Sequence, residues 1–183
     1  MAAHEPSAGM ITGPLIAIDG VAGAALERAA RARAGVRRTR AKPGISRWDA
    51  SGLFEQLALG EAGVGAGVPT ARTLLLLYAA DLAFRLRWEI EPAIESGRTV
   101  VAVPYIDTAI AFGVAAELPA EWLRDLFSFA PTPAERQVAA GTTPRGAAPR
   151  DGFIQFASRH GNLVVPARTI ARRAGEYLRA MVS

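Results

Sequence analysis

The chain has no cysteine, two histidines and a single lysine. Without thiols it makes no disulfide and no thiolate metal site, a composition that suits a reducing cytoplasm. His4 and His160 are far apart in the chain, so a histidine-based zinc site is not expected, and no other metal ligand set stands out. No apolar run approaches the roughly 18 residues of a membrane-spanning helix, so no membrane association is expected. Met1–Ser7 has no basic segment leading into an apolar stretch, and no signal peptide is expected. Lys42 is the only lysine, so the other 20 basic residues are all arginine.

Half of the 183 residues are hydrophobic, enough for one compact domain with its own core. Residues 1–13 are expected to be a loose leader and 14–183 the domain. The net charge is +4. A positive surface suits nucleotides or nucleic acid. The arginines are mixed with acids, however, and no basic patch carries interleaved aromatics, which argues against nucleic acid.

The stretch Leu15-Ile16-Ala17-Ile18-Asp19-Gly20-Val21-Ala22-Gly23-Ala24-Ala25-Leu26-Glu27-Arg28 reads as a buried strand, a small-residue turn and the start of an Ala-rich helix. That is the layout of a phosphate loop, whose pattern is G-x-x-x-x-G-K-[ST]. Gly20 supplies the first glycine, but the last three positions read Ala25-Leu26-Glu27. A loop lysine sets a cation against the phosphates and the following hydroxyl holds Mg²⁺. Leu26 offers neither charge nor donor. Glu27 brings a carboxylate that could touch a metal but would repel phosphate. The helix N-terminus still offers N–H groups to a weakly held anion, although Gly20 and Gly23 equally suit a tight turn.

Down the chain, a helix is predicted over 22–34, closed by Gly35, and then a short strand over 36–39. A helix over 46–60 is predicted from Ser46 as N-cap and from Trp48, Leu53, Phe54 and Leu57 at helical spacing. Pro69-Thr70 opens a long helix to Ser96, apolar nearly all round in its middle, with Pro92 as a possible kink. Thr99–Val103 is the best strand, and ligands in open α/β sheets sit beyond such strand ends. Helices follow over 107–115 and 119–129, then a weak strand over 136–140 and a Pro/Gly/Arg loop over 142–152. A helix over 153–160, a last strand over 163–165 and a final amphipathic helix over 169–182 complete the chain. Strands alternating with helices argue an α/β fold with a parallel sheet of about five strands flanked by helices.

Several segments, in this order, resemble the thymidylate kinases among the P-loop nucleoside-monophosphate kinases. They are the first strand, Thr70-Ala71-Arg72-Thr73-Leu74-Leu75-Leu76-Leu77-Tyr78-Ala79-Ala80-Asp81, Ile90–Val101, Tyr105–Phe112 and Glu121–Leu126. The resemblance implies a three-layer P-loop-kinase-like fold over roughly 14–182. It also implies a set of site positions. On the donor side the family's loop acid is Ala22, its lysine Leu26, and its hydroxyl positions Glu27 and Arg28, so Asp19, Gly20, Gly23, Leu26, Glu27 and Arg28 form a degenerate phosphate loop. The family's Asp-Arg pair at the end of the later strand is Val103-Pro104, and a further arginine is Leu82. Tyr78 matches the ring that stacks on the acceptor base, against the plainer reading of a core aromatic. Arg40, Arg72, Tyr105, Asp107 and Thr108 lie on the acceptor side, with solvation, packing or helix capping as the plainer roles. The lid is cut to Pro144–Arg150, with Arg145 and Arg150 as its cations. Lys42 is a remote substitute for the loop lysine.

The resemblance implies two functions. One is a kinase-like protein that has lost phosphoryl transfer and acts as a nucleotide-binding, regulatory or structural dimer, with no cofactor required. The other is an active dTMP kinase, using ATP and Mg²⁺, whose cation comes from Arg28, Lys42, the short lid or a partner chain. A homodimer through the helix around 70–96 is implied in either case.

Overall fold

The fold is described from a computed structural model, which covers residues 12–36, 43–60, 67–141 and 152–181. A parallel sheet runs in the order β2-β3-β1-β4, from Gly44–Arg47, Val100–Val103, Leu15–Asp19 and Glu135–Val138. The two central strands, β1 and β3, are buried at every residue. Their unbroken apolar runs fit a strand covered on both faces. Register pairs Leu15 with Val100 and Gly44 with Val100 on the other side, so the carboxyl ends of β1, β3 and β2 finish together at Asp19, Val103 and Arg47.

Helices cover both faces of the sheet. On one side α1, Gly23–Val36, lays Ala25, Leu26 and Ala30 against Ile16, Ile18, Val101 and Val103, together with Ala22 just before the helix. On the other side lies the larger core. It holds α3, Ala71–Arg85, α5, Ile106–Ala115, α7, Phe153–His160, and α8, Ala167–Ala180. Short helices α2, Leu53–Gly60, α4, Glu91–Glu95, and α6, Ala120–Leu126, complete the set. Thr70 caps α3, its Oγ1 accepting from the Thr73 amide at 3.2 Å.

The long helix expected from Thr70 to Ser96 is present but not uniform. Its middle, Leu86–Ile90, is a π-helical turn between α3 and α4. Pro92, the second residue of α4, has no N–H to give to this turn, which is where an α-helix is weakest.

Three expectations are corrected. Ser46 does not cap a helix: it lies in β2, and α2 begins only at Leu53. The Asp49 carboxylate takes the capping role, accepting from the amides of Phe54 at 2.8 Å and Glu55 at 3.0 Å. Gly35 does not end α1, which runs to Val36. Residues 163–165 form no strand; only a single bridge joins Thr70 and Asn162, and Val164 is 98% exposed. The described sheet therefore has four strands, close to the five expected. Most of the strand expected at 36–39, together with Arg40, Lys42, Arg145 and Arg150, lies outside the described residues.

Candidate functional site

Beyond the carboxyl ends of β1, β3 and β2 lies a cleft of about 760 Å³. Its floor is Leu26, Val103 and Pro104, and Trp48, Phe156 and His160 form an aromatic wall. Trp48 packs edge-on to Phe156 at 5.7 Å between centroids, and Phe156 stacks on His160 at 4.4 Å. This is the position at which open parallel sheets bind ligands.

The connection from β1 to α1 is short. Helix α1 begins at Gly23, the fourth residue of the eight-residue frame Gly20–Glu27. Only Gly20, Val21 and Ala22 remain outside regular structure, too few to wrap a phosphate. The Ala22 carbonyl already accepts from the amides of Ala25 and Leu26, both at 3.0 Å. The Gly20 amide is given to Thr108 Oγ1 at 3.0 Å, and the Gly23 amide to Gln155 Oε1 at 2.7 Å. Gln155 Oε1 also accepts from the Gly152 amide at 3.0 Å, so the start of α7 is seated on the start of α1. Leu26 is 3% exposed. Its δ-methyls stand 3.3 Å from where a Cβ on Gly20 would be and 3.5 Å from one on Gly152. The loop is closed by apolar packing and by protein oxygen.

Glu27 does not face the loop. Its carboxylate receives a forked guanidinium from Arg47, Nε at 2.9 Å and Nη2 at 2.8 Å, and a third hydrogen bond from Arg31 Nε at 2.7 Å. The Arg47 hydrogen bond is the largest cause that holds the Glu27 carboxyl down at about 2, well below its usual 4.5. Arg28 lies exposed on the outer face of α1.

Beneath the loop sits a buried polar node. Asp19 Oδ1 accepts from the Tyr105 amide, the Thr108 amide and Thr108 Oγ1 at 2.8–2.9 Å. The Thr108 hydroxyl thus donates to Asp19 while accepting from Gly20. Burial, and secondly the Asp107 charge, push the Asp19 carboxyl up to about 6 from its usual 3.8. Asp107 is also raised by burial, and Arg136, whose Nη1 lies 3.1 Å from both its oxygens, works against that shift.

The Asp19 shift has a stability consequence. A carboxyl harder to ionise when folded contributes fully below its unfolded pKa, and that contribution is lost as pH rises through the folded value. The window runs from about pH 4 to about pH 6. Asp19→Asn keeps an acceptor for the amides and removes the buried charge. It is expected to stabilise the fold by about 1–3 kcal/mol at pH 8 and to change it little at pH 4. Urea denaturation at the two pH values checks this; equal effects at both would refute it.

On the acceptor side the positions diverge. Tyr78 is fully buried, its hydroxyl donating to the Tyr105 carbonyl and its ring 4.6 Å from that of Phe153. It is a core aromatic and has no open face for a base, which corrects the stacking expectation. Burial raises its hydroxyl well above the usual range, and raises that of Tyr105 too. The Tyr105 ring is likewise core, its hydroxyl donating to the Pro131 carbonyl at 2.7 Å. Arg72 lies over the Trp122 ring at 4.8 Å, outside the cleft lining. Asp19, Gly20, Tyr105, Asp107 and Thr108 therefore meet in one node, and Gly23, Leu26 and Glu27 border the cleft, whereas Arg28, Arg72 and Tyr78 do not reach it.

Several residues that shape the cleft do so through long-range contacts that carry no local signal in the sequence. Asp81, fully buried, accepts from the Asp49 amide, the Ser51 amide and the Ser51 hydroxyl at 2.7–2.9 Å, holding the turn after β2. Arg85, also fully buried, donates to Ser46 Oγ, the Ser46 carbonyl and the Pro104 carbonyl at 2.9–3.0 Å. Ser46 Oγ in turn donates to Glu89 at 2.6 Å, in the π-helical turn. Arg85 stands about one helical turn beyond Leu82, the position where the resemblance implies an arginine, and it faces inward. Gln155 and Arg47 join loop residues 132 and 20 positions away, and no local pattern marks such pairs.

An ATP phosphate chain with Mg²⁺ does not fit the described loop groups. The Gly23 amide is committed to Gln155, Leu26 is packed into the core, and the Glu27 carboxylate is held by two arginines.

These features define an α/β protein with a P-loop-kinase-like parallel sheet. The fold matches the crystal structure of thymidylate kinase from Ehrlichia chaffeensis with a TM-score of 0.61 over 93% of this chain and 83% of that one, at 12% identity. A local stretch of 58 residues is 41% identical to probable thymidylate kinases of Pyrococcus abyssi and Thermococcus gammatolerans. It spans 32% of this chain and only 28% of each relative's length. No family model matches the sequence. The chain is thymidylate-kinase-like in fold and in this local sequence.

Proposed function

We propose that this protein is a thymidylate-kinase-like fold that no longer transfers a phosphoryl group and serves as a binding or regulatory dimer. The observation that carries the reading is the closed loop. Phosphoryl transfer depends on a cation and free backbone amides around the phosphates. Here the cation position is a buried leucine, and the Gly23 amide is held by Gln155. The other reading is an active dTMP kinase, favoured by the names of the relatives and by Arg47 in the cleft lining.

A coupled assay with ATP, Mg²⁺ and dTMP separates the two. No turnover above background is expected. Turnover on the order of 1–100 s⁻¹, the usual kinase range, would overturn the proposal. Self-association is assigned to the exposed residues Leu76 and Phe84 of α3 and Trp88 of the π-helical turn, which are 51%, 39% and 66% exposed. The same preparation is expected to sediment as a dimer, and Trp88→Glu to sediment as a monomer. Among the described residues no helix is long and apolar enough to cross a membrane; a cytoplasmic location is part of the proposal.

A further inference from the structure

We infer that the cleft beyond the sheet is a site for an uncharged nucleoside, and that Glu27 acts there as a built-in anion in place of a ligand phosphate. This rests on the reading of a non-catalytic kinase-like fold.

The geometry of the Glu27–Arg47 pair carries the inference. A guanidinium recognises phosphate through two parallel N–H donors, and it meets a carboxylate in the same forked way. Arg47 stands at the carboxyl end of β2, on the cleft, with Nε and Nη2 both directed at Glu27. The fork that would grip a phosphate is thus already filled. Glu27 is only 29% exposed on its side chain and meets both N–H donors of Arg47, so the pair is held by geometry, with the exposed Arg31 adding a third hydrogen bond. At the neighbouring helix terminus, Gln155 Oε1 takes the Gly23 amide in the same manner. Two donors suited to an anion are therefore answered by oxygens of the protein itself.

The rest of the lining agrees. Glu55 and Glu89 add carboxylates to the cleft, and Glu89 is fixed there by the Ser46 hydroxyl. Arg159 and His160 also line it, and both already have partners. A nucleoside monophosphate would bring about two negative charges toward these carboxylates. An uncharged nucleoside brings none. Trp48 and His160, both half-buried in the lining over the buried Phe156 ring, offer it aromatic surface, and base stacking on such side chains is worth about 1–3 kcal/mol per base.

Isothermal titration of the full chain with thymidine and with dTMP tests the inference. Thymidine is expected to bind at least as tightly as dTMP. In Glu27→Gln, which removes the charge and one of the two acceptors that fill the Arg47 fork, dTMP affinity is expected to rise about tenfold while thymidine affinity stays within about twofold, as fits one unmasked charged hydrogen bond. Circular dichroism confirms that the variant is folded, and Glu27→Ala repeats the measurement with the carboxylate removed. Tenfold tighter binding of dTMP than of thymidine to the unmodified chain would overturn the site assignment, as would binding of neither. Equal changes for both ligands in the variants, or none, would overturn the role of Glu27. Turnover in the kinase assay is a separate result and bears on the proposed function alone.

Discussion

Leu26→Lys is expected to destabilise the protein by about 2–4 kcal/mol and to leave it without phosphoryl transfer. The substitution restores the residue type that the loop pattern calls for, but not its surroundings. Leu26 packs among Ile16, Ile18, Val101 and Val103 on the inner face of α1. An ammonium group placed there loses hydration, and the apolar residues around it, Ile16, Ile18, Val101 and Val103, offer it no carboxylate, so its ionised form is disfavoured. The side chain borders the cleft, which lets part of its length reach outward and keeps the loss below that of a wholly enclosed charge. For a chain of 183 residues the change corresponds to a fall in Tm of about 4–16 °C. Thermal denaturation at neutral pH measures it. An unchanged Tm together with new turnover would mean that the loop opens readily to a cation, and the closed-loop account would fail.

Arg85→Ala is expected to cost about 3–5 kcal/mol, the largest effect of any single change considered. Arg85 is enclosed and joins three elements, since Ser46 is in β2, Pro104 follows β3 and Arg85 itself ends α3. Truncation leaves two buried carbonyls and a hydroxyl without their donor, each a penalty of about 1–3 kcal/mol where water does not replace it, and it empties the space the side chain filled. Arg85→Lys is expected to recover only part of the loss, because an ammonium cannot reproduce the planar fork. Chemical denaturation of the three proteins checks the order native, Lys, Ala. A Tm within about 2 °C of native for the Ala variant would remove Arg85 from the framework of the cleft.

The contrast between these two residues marks how far local sequence carries. The frame around Leu26 was legible because strand, turn and helix each have their own pattern within fourteen residues, Leu15 to Arg28. The long helix from Thr70 and the helix over 153–160 were legible for the same reason. The segment after Ser46 was not. Trp48, Phe54 and Leu57 do fall at helical spacing, yet pairing of Gly44–Arg47 with β3 and the grip of the Asp81 carboxylate on Asp49 and Ser51 override that spacing. Both are long-range contacts, and long-range contacts routinely outweigh local propensity. Tyr78 was legible as an aromatic on a buried helix, but which way its hydroxyl turned depended on the Tyr105 carbonyl, 27 residues away.

The sequence by itself determined the class of fold and the absence of a lysine from the loop pattern, since both are written in contiguous residues and their periodicity. Only the tertiary structure decided what the residues at those positions do. Leu26 became core because α1 begins early and turns that face onto the sheet. Glu27 became the partner of Arg47 because β2 ends beside α1. The Gly23 amide went to Gln155 because α7 docks at the helix start. A buried hydrogen-bonding group must find a partner somewhere in the folded chain, and which partner it finds is a property of packing.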